Sequence, residues 1–288
     1  MFEFTGKKPS RVVILGAKGF VANAFATRFK ADGLSVKTLG ASELDLTVEG
    51  AGQKLADVLQ NDDCLVFVSA LTPDRGRDLA TMRKNLLMAE AVMDAIKKKP
   101  VQHLLYVSSD AVFDDKAHLV NETTPLAPET FHGIMHRARE AALIGACAVA
   151  KIPLVILRPC AVYGPGDTHN GYGPNRFIRT AIEKGAVDLF GGGEEQRDHL
   201  YIEDFAKLAS DCVTRGARGD LNIATGKAYS FAEAASVAAK LAGRAVEVRT
   251  SARANPITHR HFDTTALLRA FPGFSFTSLE DGLKAMVR

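Results

Sequence analysis

Residues 11–22 read RVVILGAKGFVA, and this stretch decides the fold of the chain. The apolar run at 12–15 is typical of a strand that is buried on both faces of a parallel sheet. Gly16 permits a tight turn, and Gly19 lets the backbone approach a phosphate group at the start of the next helix. The stretch predicts a dinucleotide-binding turn rather than an ordinary strand–helix turn. The residues expected to contact the cofactor are Gly16, Lys18, Gly19, Phe20 and Val21.

The rest of the chain continues the alternation that this stretch begins. The pattern predicts strands at 11–15, 36–39, 64–68, 101–108 and 154–157, and helices at 19–31, 48–60, 78–99 and 132–150. This order predicts an α/β fold, a doubly wound parallel (Rossmann) sheet with helices on both faces. We expect residues 1–160 to form the dinucleotide-binding core. Residues 161–288 are expected to form mainly a smaller substrate-binding lobe, with segments that return to the core sheet.

Composition excludes several other classes of protein. The net charge of +3 is mild and dispersed, so it gives no support to a nucleic-acid partner. No apolar run is long enough to span a membrane, and residues 1–10 lack the apolar segment of a signal peptide. The four cysteines lie far apart without a CxxC pair, which fits a reducing compartment. We therefore expect a soluble cytoplasmic protein.

The choice of cofactor depends on the end of the second strand. An acidic residue there would bind the ribose 2′-hydroxyl of NAD. The expected position is Gly40, and residues 38–42 contain no acid. Lys18 lies inside the glycine turn, where it can meet a 2′-phosphate. These two features favour NADP, although Glu43 would support NAD if the strand ran further than predicted.

Three further motifs carry a family resemblance. They are YVSSDAVF at 106–113, LRP at 157–159 followed by VYGPG at 162–166, and EQRD at 195–198 followed by YIED at 201–204. Together with the GxxGxxA form of the glycine turn, they resemble the extended short-chain dehydrogenase/reductase family. Its members are NAD(P)-dependent nucleotide-sugar epimerases, dehydratases and reductases. The resemblance extends from about residue 11 to residue 225 and implies hydride transfer on a nucleotide-activated sugar or a related polyol.

The resemblance also implies roles for individual residues. Ser109 matches the active-site hydroxyl that binds the substrate oxygen, and Asp110 lies beside it. Arg197, and as a second candidate Arg176, would bind the substrate diphosphate, because a guanidinium binds phosphate bidentately. The further residues implied to contact the cofactor are Asp45, Leu46, Ser69, Ala70, Leu71, Asn85, Ser108, Pro159 and Val162.

The chain departs from the family at the residues that usually carry its chemistry. The family pattern is a tyrosine and a lysine in the form YxxxK. In the matching segment, His132 occupies the tyrosine position and His136 the lysine position, whereas Pro128 and Gly133 keep the family frame.

Three hypotheses follow from this replacement. His132 can be the general acid/base, because imidazole titrates near neutrality, with His136 binding the cofactor ribose or relaying a proton. Alternatively, His132 and His136 can bind a metal from one helix face, which Glu140 extends by a turn; a third ligand, such as His169 or Asp110, would have to come from a loop. In the third hypothesis the chain binds the nucleotide without redox turnover, as a regulatory or partner protein. We favour the first and expect no metal. We also expect a homodimer through helices 78–99 and 132–150.

Overall fold

The computed structural model describes residues 2–253 and 256–287. The strands of these residues are β1 Glu3–Phe4, β2 Arg11–Leu15, β3 Ser35–Leu39, β4 Asp63–Phe67, β5 His103–Val107, β6 Leu119–Val120, β7 Leu154–Pro159, β8 Ala161–Tyr163, β9 Ala186–Phe190, β10 Gln196–Tyr201, β11 Ala217–Ile223, β12 Ala228–Ser230, β13 Glu247–Ser251 and β14 His261–Phe262.

The helices alternate with these strands. They are α1 Phe20–Ala31, α2 Ala51–Val58, α3 Leu79–Lys98, α4 Phe131–Ala150, α5 Pro174–Lys184, α6 Ile202–Thr214, α7 Phe231–Leu241, α8 Thr265–Ala270 and α9 Leu279–Val287, with a 3-10 turn at Asp110–Val112. Among the described residues, no helix is both long and apolar enough to cross a membrane.

A seven-stranded sheet carries the glycine turn. Its strand order is β1-β11-β7-β5-β4-β2-β3. Strand β2 pairs in parallel with β3 on one side and β4 on the other, and β4, β5 and β7 continue the parallel pairing. The predicted doubly wound parallel sheet is therefore confirmed. Strand β1, which pairs antiparallel with β11 at the edge, was not expected, because two residues are too few to show a pattern.

The chain divides into two compact units. The first contains residues 1–114, 125–159 and 206–221, and includes the seven-stranded sheet. The second contains residues 115–124, 160–205 and 222–288. The second unit holds the three-stranded sheet β12-β10-β8 and helices α5, α7 and α9. Residues 206–221 return to the first unit and include most of β11, so the division is not a single cut in the sequence.

A buried ion-pair network fastens α4 to the sheet of the first unit. The Arg158 guanidinium donates to both carboxylate oxygens of Glu140, at 2.9 and 3.0 Å, and to Asp220 at 2.7 Å. The Ser108 hydroxyl donates to Glu140 at 2.6 Å. Glu140 is fully buried and Arg158 is nearly so. A buried charge pair of this kind is costly to break, because one charge is left without a partner.

Glu140→Gln tests this network. We expect it to lower the free energy of unfolding by about 3 kcal/mol, because it removes the charge that compensates Arg158 inside the protein. Urea unfolding measures the change. The control is Lys98→Gln, which breaks a half-exposed pair with Asp94 at 2.8 Å and should cost at most about 0.5 kcal/mol. Equal losses in the two variants would contradict a structural role for the network.

Candidate active site

The glycine turn follows strand β2, as predicted. The Gly16 amide donates to the Leu39 carbonyl at 2.8 Å, and the Gly19 amide donates back to the Gly16 carbonyl at 2.8 Å. Gly16 has a φ of +108°, which L side chains rarely adopt. A Cβ atom at this position would also lie 3.2 Å from Oγ of Ser69. Position 16 therefore requires glycine, and its backbone runs close to the chain that leaves β4.

The N-terminus of α1 meets the requirements of a phosphate site. Gly19 precedes the helix with φ −80° and ψ 148°, and no side-chain hydrogen bond from the described residues caps the helix. The amides of the first turn are thus available to a ligand, and the helix dipole favours an anion there. Lys18 is exposed at the tip of the turn. These residues fit the pyrophosphate of a dinucleotide.

Glu43 brings an acidic group to the end of strand β3. The strand ends at Leu39, and Gly40 follows it. The Glu43 carboxylate accepts a hydrogen bond from the Gly40 amide at 3.1 Å. The sequence analysis expected an acid here only if the strand ran further. The strand does not, and a short turn places the carboxylate there instead.

Asp45 and Leu46 follow this turn. The Asp45 carboxylate accepts from the Thr47 hydroxyl at 2.7 Å and from the Thr47 amide at 2.8 Å, which lowers the pKa of Asp45. Asp45 is exposed and Leu46 is buried. The pair is thus held in a fixed conformation, and its contact with an adenine remains a prediction.

Asn85 anchors the loop that follows β4. Its side-chain amide donates to the Leu71 carbonyl at 3.0 Å, and its Oδ1 accepts from the Leu71 amide at 2.8 Å. The neighbouring Ser69 carbonyl accepts from Arg139 at 2.9 Å. Asn85 is only 2% exposed. It therefore fixes the half-buried segment 69–71, whose own contact with the cofactor stays a prediction.

The segment after β5 holds the predicted hydroxyl groups. Ser108 is buried, and its hydroxyl belongs to the Glu140 network described above. Ser109 caps the 3-10 turn, since its Oγ accepts from the Ala111 amide at 3.1 Å. Ser109 and Asp110 are both half-buried. Of the two serines, Ser109 is the one that presents its hydroxyl toward accessible space.

His132 and His136 lie together on the first two turns of α4. Their ring centroids are 4.6 Å apart, and the rings meet edge to face at 82°. Nδ1 of His136 lies 2.7 Å from the hydroxyl of Tyr106 on β5. His136 is 4% exposed, whereas His132 is half-buried. The structure therefore brings the predicted pair together, with His132 as the accessible member.

Both imidazoles are held in their neutral forms. Burial, and secondly the positive charge of Arg139, lowers the pKa of His132 to about 4. Burial, His132 and Arg139 together lower the pKa of His136 well below its ordinary value. At neutral pH neither ring carries a charge, so His132 can accept a proton, and each neutral ring has one N–H to donate.

Gly133 allows α4 to approach the 3-10 turn. A Cβ atom at position 133 would overlap the Ala111 carbonyl oxygen and lie 2.7 Å from Cβ of Pro128. The helix begins at Thr130, whose hydroxyl caps the Gly133 amide at 3.1 Å. Close backbone contact thus places the start of α4, which carries His132, beside the turn that Ser109 caps.

A cavity of about 500 Å³ opens beside His132 in the first unit. Its walls come from the loop before α3, from α3 itself and from the start of α4. Apolar side chains that line it include Leu71, Met82, Phe131 and Met135. A half-buried imidazole in the wall of such a cavity is placed to meet a small-molecule ligand.

The geometry does not support the metal hypothesis for α4. Glu140 is engaged by Arg158 and Ser108, and Nδ1 of His136 is engaged by Tyr106. Across residues 2–253 and 256–287, no group of three or more His, Cys, Asp or Glu side chains is arranged to hold a metal ion. Glu140 is thus not available as the third ligand.

The predicted diphosphate residues lie in the second unit. The Arg197 guanidinium donates to the Thr258 hydroxyl at 2.7 Å and to the carbonyls of Gln196 and Thr258, and it lies 3.6 Å from Glu195. Arg176 is half-buried on α5. A phosphate at Arg197 would have to compete with these internal partners.

Two further predicted cofactor contacts lie at the end of β7 and in β8. Pro159 ends β7 and is buried, and Val162 lies half-buried in β8.

Sequence reasoning missed two residues of this cluster, Tyr106 and Arg139. Tyr106 was noted only as part of a strand motif. Arg139 follows His132 and His136 at positions i+7 and i+3, which places all three on one helix face. That spacing was the available signal, because an arginine on the inward stripe of an alanine-rich helix is unusual.

Residues 12–224 match the family described as the NAD dependent epimerase/dehydratase family. The chain belongs to this family. The match confirms the resemblance drawn from the motifs, and it covers both the glycine turn and the histidine pair.

Two curated relatives show how far the likeness extends. An uncharacterized UDP-glucose epimerase of Bacillus subtilis (strain 168) is 29% identical over 127 residues, 43% of this chain and 39% of that protein. A trifunctional UDP-glucose 4,6-dehydratase/UDP-4-keto-6-deoxy-D-glucose 3,5-epimerase/UDP-4-keto-L-rhamnose-reductase of Arabidopsis thaliana is 24% identical over 313 aligned positions. These are 97% of this chain and 47% of that protein. The chain therefore spans less than half the length of these relatives.

A solved structure shows the same fold. MoeE5 in complex with UDP-glucose and NAD matches with a TM-score of 0.83 and 24% identity, over 96% of this chain and 97% of that one. At this identity the match supports the architecture of the chain and leaves its chemistry to the residues described above.

Gly133→Ala tests the close approach of α4. We expect the added methyl group to push α4 away from the Ala111 carbonyl, at a cost of about 1–3 kcal/mol in the free energy of unfolding. The matched control is Gly145→Ala on the same helix, where no atom lies within 4 Å of the new Cβ. It should be neutral or stabilise by up to about 1 kcal/mol. Thermal unfolding of both variants measures the difference, and the same sign in both would contradict the constraint.

Proposed function

We propose that the protein is an NAD(P)-dependent enzyme that acts by hydride transfer and epimerises, reduces or dehydrates a nucleotide-activated sugar or a related polyol. One observation carries this proposal. His132 occupies the family's acid/base position and presents a neutral, half-buried imidazole to a cavity in the unit that also holds the glycine turn. A chain that only bound the nucleotide would not need this arrangement.

The chain's own residues would manage the proton. A bound nicotinamide supplies the hydride acceptor or donor. His132 takes the proton from a substrate hydroxyl at a ring nitrogen in one direction and returns it in the other. The Ser109 oxygen accepts from the Ala111 amide, and the Ser109 hydroxyl donates to Asp110 at 3.5 Å. This hydroxyl hydrogen can leave Asp110 and donate to the substrate oxygen instead. His136 packs against the His132 ring, and its proposed role is to relay a proton or to bind the cofactor ribose.

The substrate class follows from charge and from the family. MoeE5, a structural neighbour, is in complex with UDP-glucose and NAD. In this chain Arg176 and Arg197 are the candidates for the substrate diphosphate, because guanidinium groups bind phosphate oxygens in pairs. Arg197 would exchange its hydrogen bonds to Thr258 for bonds to phosphate. The hydroxyl and the carbonyls among its partners bind a guanidinium less strongly than a phosphate does, while the Glu195 carboxylate lies further away at 3.6 Å.

The proposed cofactor is NADP, with NAD as the alternative. Lys18 supports NADP, because its exposed ammonium group sits inside the glycine turn, where it can reach a 2′-phosphate. Glu43 acts in the opposite sense, because its carboxylate at Gly40 would repel that phosphate and accept from a 2′-hydroxyl. The balance between these two side chains sets the cofactor preference.

Substitutions at these two residues test the cofactor choice. Lys18→Ala should weaken NADP binding about tenfold, because one charge-assisted hydrogen bond is lost. The same variant should change NAD binding little. Glu43→Gln should change the ratio of the two affinities in favour of NADP. Fluorescence titration with both cofactors measures the four dissociation constants. Equal effects of Lys18→Ala on NAD and NADP would contradict the role of Lys18.

The assembly and compartment are part of the same proposal. Helices α3 and α4 are the proposed homodimer contact, and α4 leaves Ile144 and Val149 exposed at 51% and 86%. Apolar side chains of this size gain free energy when a partner covers them. Cytoplasmic residence is supported by four free, buried cysteines, which are typical of a reducing compartment.

His132→Gln tests the catalytic role. We expect turnover to fall at least about 10²-fold, because general acid–base catalysis contributes that much, while cofactor affinity stays unchanged. In the direction of alcohol oxidation, His132 must be neutral, so wild-type kcat/KM should stay level down to about pH 5 and fall as pH approaches the His132 pKa of about 4.

The control for this experiment is His118→Gln, at an exposed position in the second unit. It should leave turnover unchanged. Full activity of His132→Gln would rule out His132 as the acid/base. Cofactor binding without turnover in wild-type protein, over a panel of sugar nucleotides, would favour the regulatory hypothesis instead.

A further inference from the structure

Arg139 is buried beneath the histidine pair. It is 1% exposed. Its guanidinium donates to the Ser69 carbonyl at 2.9 Å, to the Asn85 carbonyl at 2.9 Å and to Oδ1 of Asn85 at 3.2 Å. The same group lies 4.7 Å from the centre of the Phe67 ring. The side chain is thus held by four contacts and has little freedom to move.

None of these contacts supplies a negative charge. No ion pair joins Arg139 to a carboxylate within the described part of the chain. The other buried arginine of the first unit, Arg158, has two carboxylate partners, Glu140 and Asp220. Arg139 cannot lose its proton at any ordinary pH. The unit therefore carries a buried positive charge that carbonyl dipoles and an aromatic face compensate. Burying such a charge without an ionic partner costs free energy of folding.

The charge belongs to the helix face that carries the candidate acid/base. Residues 132, 136 and 139 share one face of α4, and helical side chains lean toward the N-terminus. Arg139 therefore reaches back under His136 toward His132. Two aromatic rings connect them: the Phe67 ring lies 4.7 Å from the guanidinium and 5.4 Å from the Tyr106 ring, and the Tyr106 hydroxyl lies 2.7 Å from Nδ1 of His136.

One hydrogen bond links the Tyr106 hydroxyl to Nδ1 of His136 inside this cluster. Burial also raises the pKa of Tyr106, so the phenol keeps its hydrogen throughout the neutral range.

We propose that Arg139 is the fixed positive charge of this site. Together with burial, its charge favours the neutral forms of His132 and His136. Arg139 is thus a positioning residue, and its purpose rests on the proposed role of His132 in proton exchange. When the substrate O–H bond breaks and a new N–H bond forms on His132, the charge of Arg139 disfavours the imidazolium, so the proton returns readily to the substrate oxygen.

Other charged groups around His132 do not replace Arg139. The cavity beside His132 is also lined by Arg77 and Asp78 before α3 and by Glu129 before α4. The two carboxylates would favour a protonated His132, and Arg77 would oppose it. Asp78 caps the Thr81 amide and is exposed, and Arg77 is exposed as well, so solvent weakens their fields. From the sheet side, Tyr106 is neutral.

Histidine titration by NMR tests the inference without any need for turnover. The probe is the ring-nitrogen spectrum of ¹⁵N-labelled protein between pH 4 and 8, with His132 assigned from the His132→Gln spectrum. In the wild type, we expect His132 to stay neutral down to about pH 5. In Arg139→Met, which removes the charge and keeps most of the volume, its titration should move toward the ordinary pKa of 6.5. Arg139→Lys keeps the charge and should titrate like the wild type.

The matched control is Arg137→Met on the same helix, which should leave the His132 titration in place. If Arg139→Met does not fold, Arg139→Gln removes the charge and keeps a donor for the Ser69 carbonyl. A wild-type His132 that titrates near 6.5 overturns the proposal, as does the same titration in the wild type and the uncharged variant. If the titration moves as expected and no sugar nucleotide is turned over, the proposed function fails and the role of Arg139 stands.

Discussion

The close contact between α4 and the 3-10 turn sets the geometry of the candidate site. The helix can lie against the Ala111 carbonyl only because residue 133 has no side chain. Ser109 caps the turn on one side of this contact, and His132 begins the helix on the other. Any larger residue at 133 would separate the two. The histidine pair, the cavity beside it and the buried Arg139 all depend on where this helix starts.

Two neighbouring charged residues of α4, Arg139 and Glu140, differ in how their charges are compensated. Near its middle, Glu140 and Arg158 neutralise each other and anchor the helix to the sheet. One residue earlier, Arg139 is buried without such a partner and faces the histidines. Adjacent residues on a helix point about 100° apart, so one side chain serves the framework and the next serves the site. The same helix thus holds its position and carries an unbalanced charge.

The sequence predicted much of the fold because its signals are local. The glycine spacing after β2 and the apolar strands need only neighbouring residues to be recognised, and the doubly wound sheet followed from their order. The strands of two or three residues were missed, since so short a segment shows no period; they are β1, β6, β8, β12 and β14. An acid at the end of β3 was expected only for a longer strand, because Glu43 reaches Gly40 through a turn whose geometry the sequence does not show.

What the sequence determined by itself was the dinucleotide turn, the α/β architecture and the place of His132 and His136 in the family frame. Each of these depends on spacing along the chain, which the sequence states directly. Only the tertiary structure decided that Tyr106 bonds to His136, that Glu140 belongs to Arg158 and that Arg139 lacks a counter-ion. These facts depend on how side chains from separate strands and helices meet in a low-dielectric interior. Burial and distance set the charge state of an imidazole there, and neither can be read from residue order.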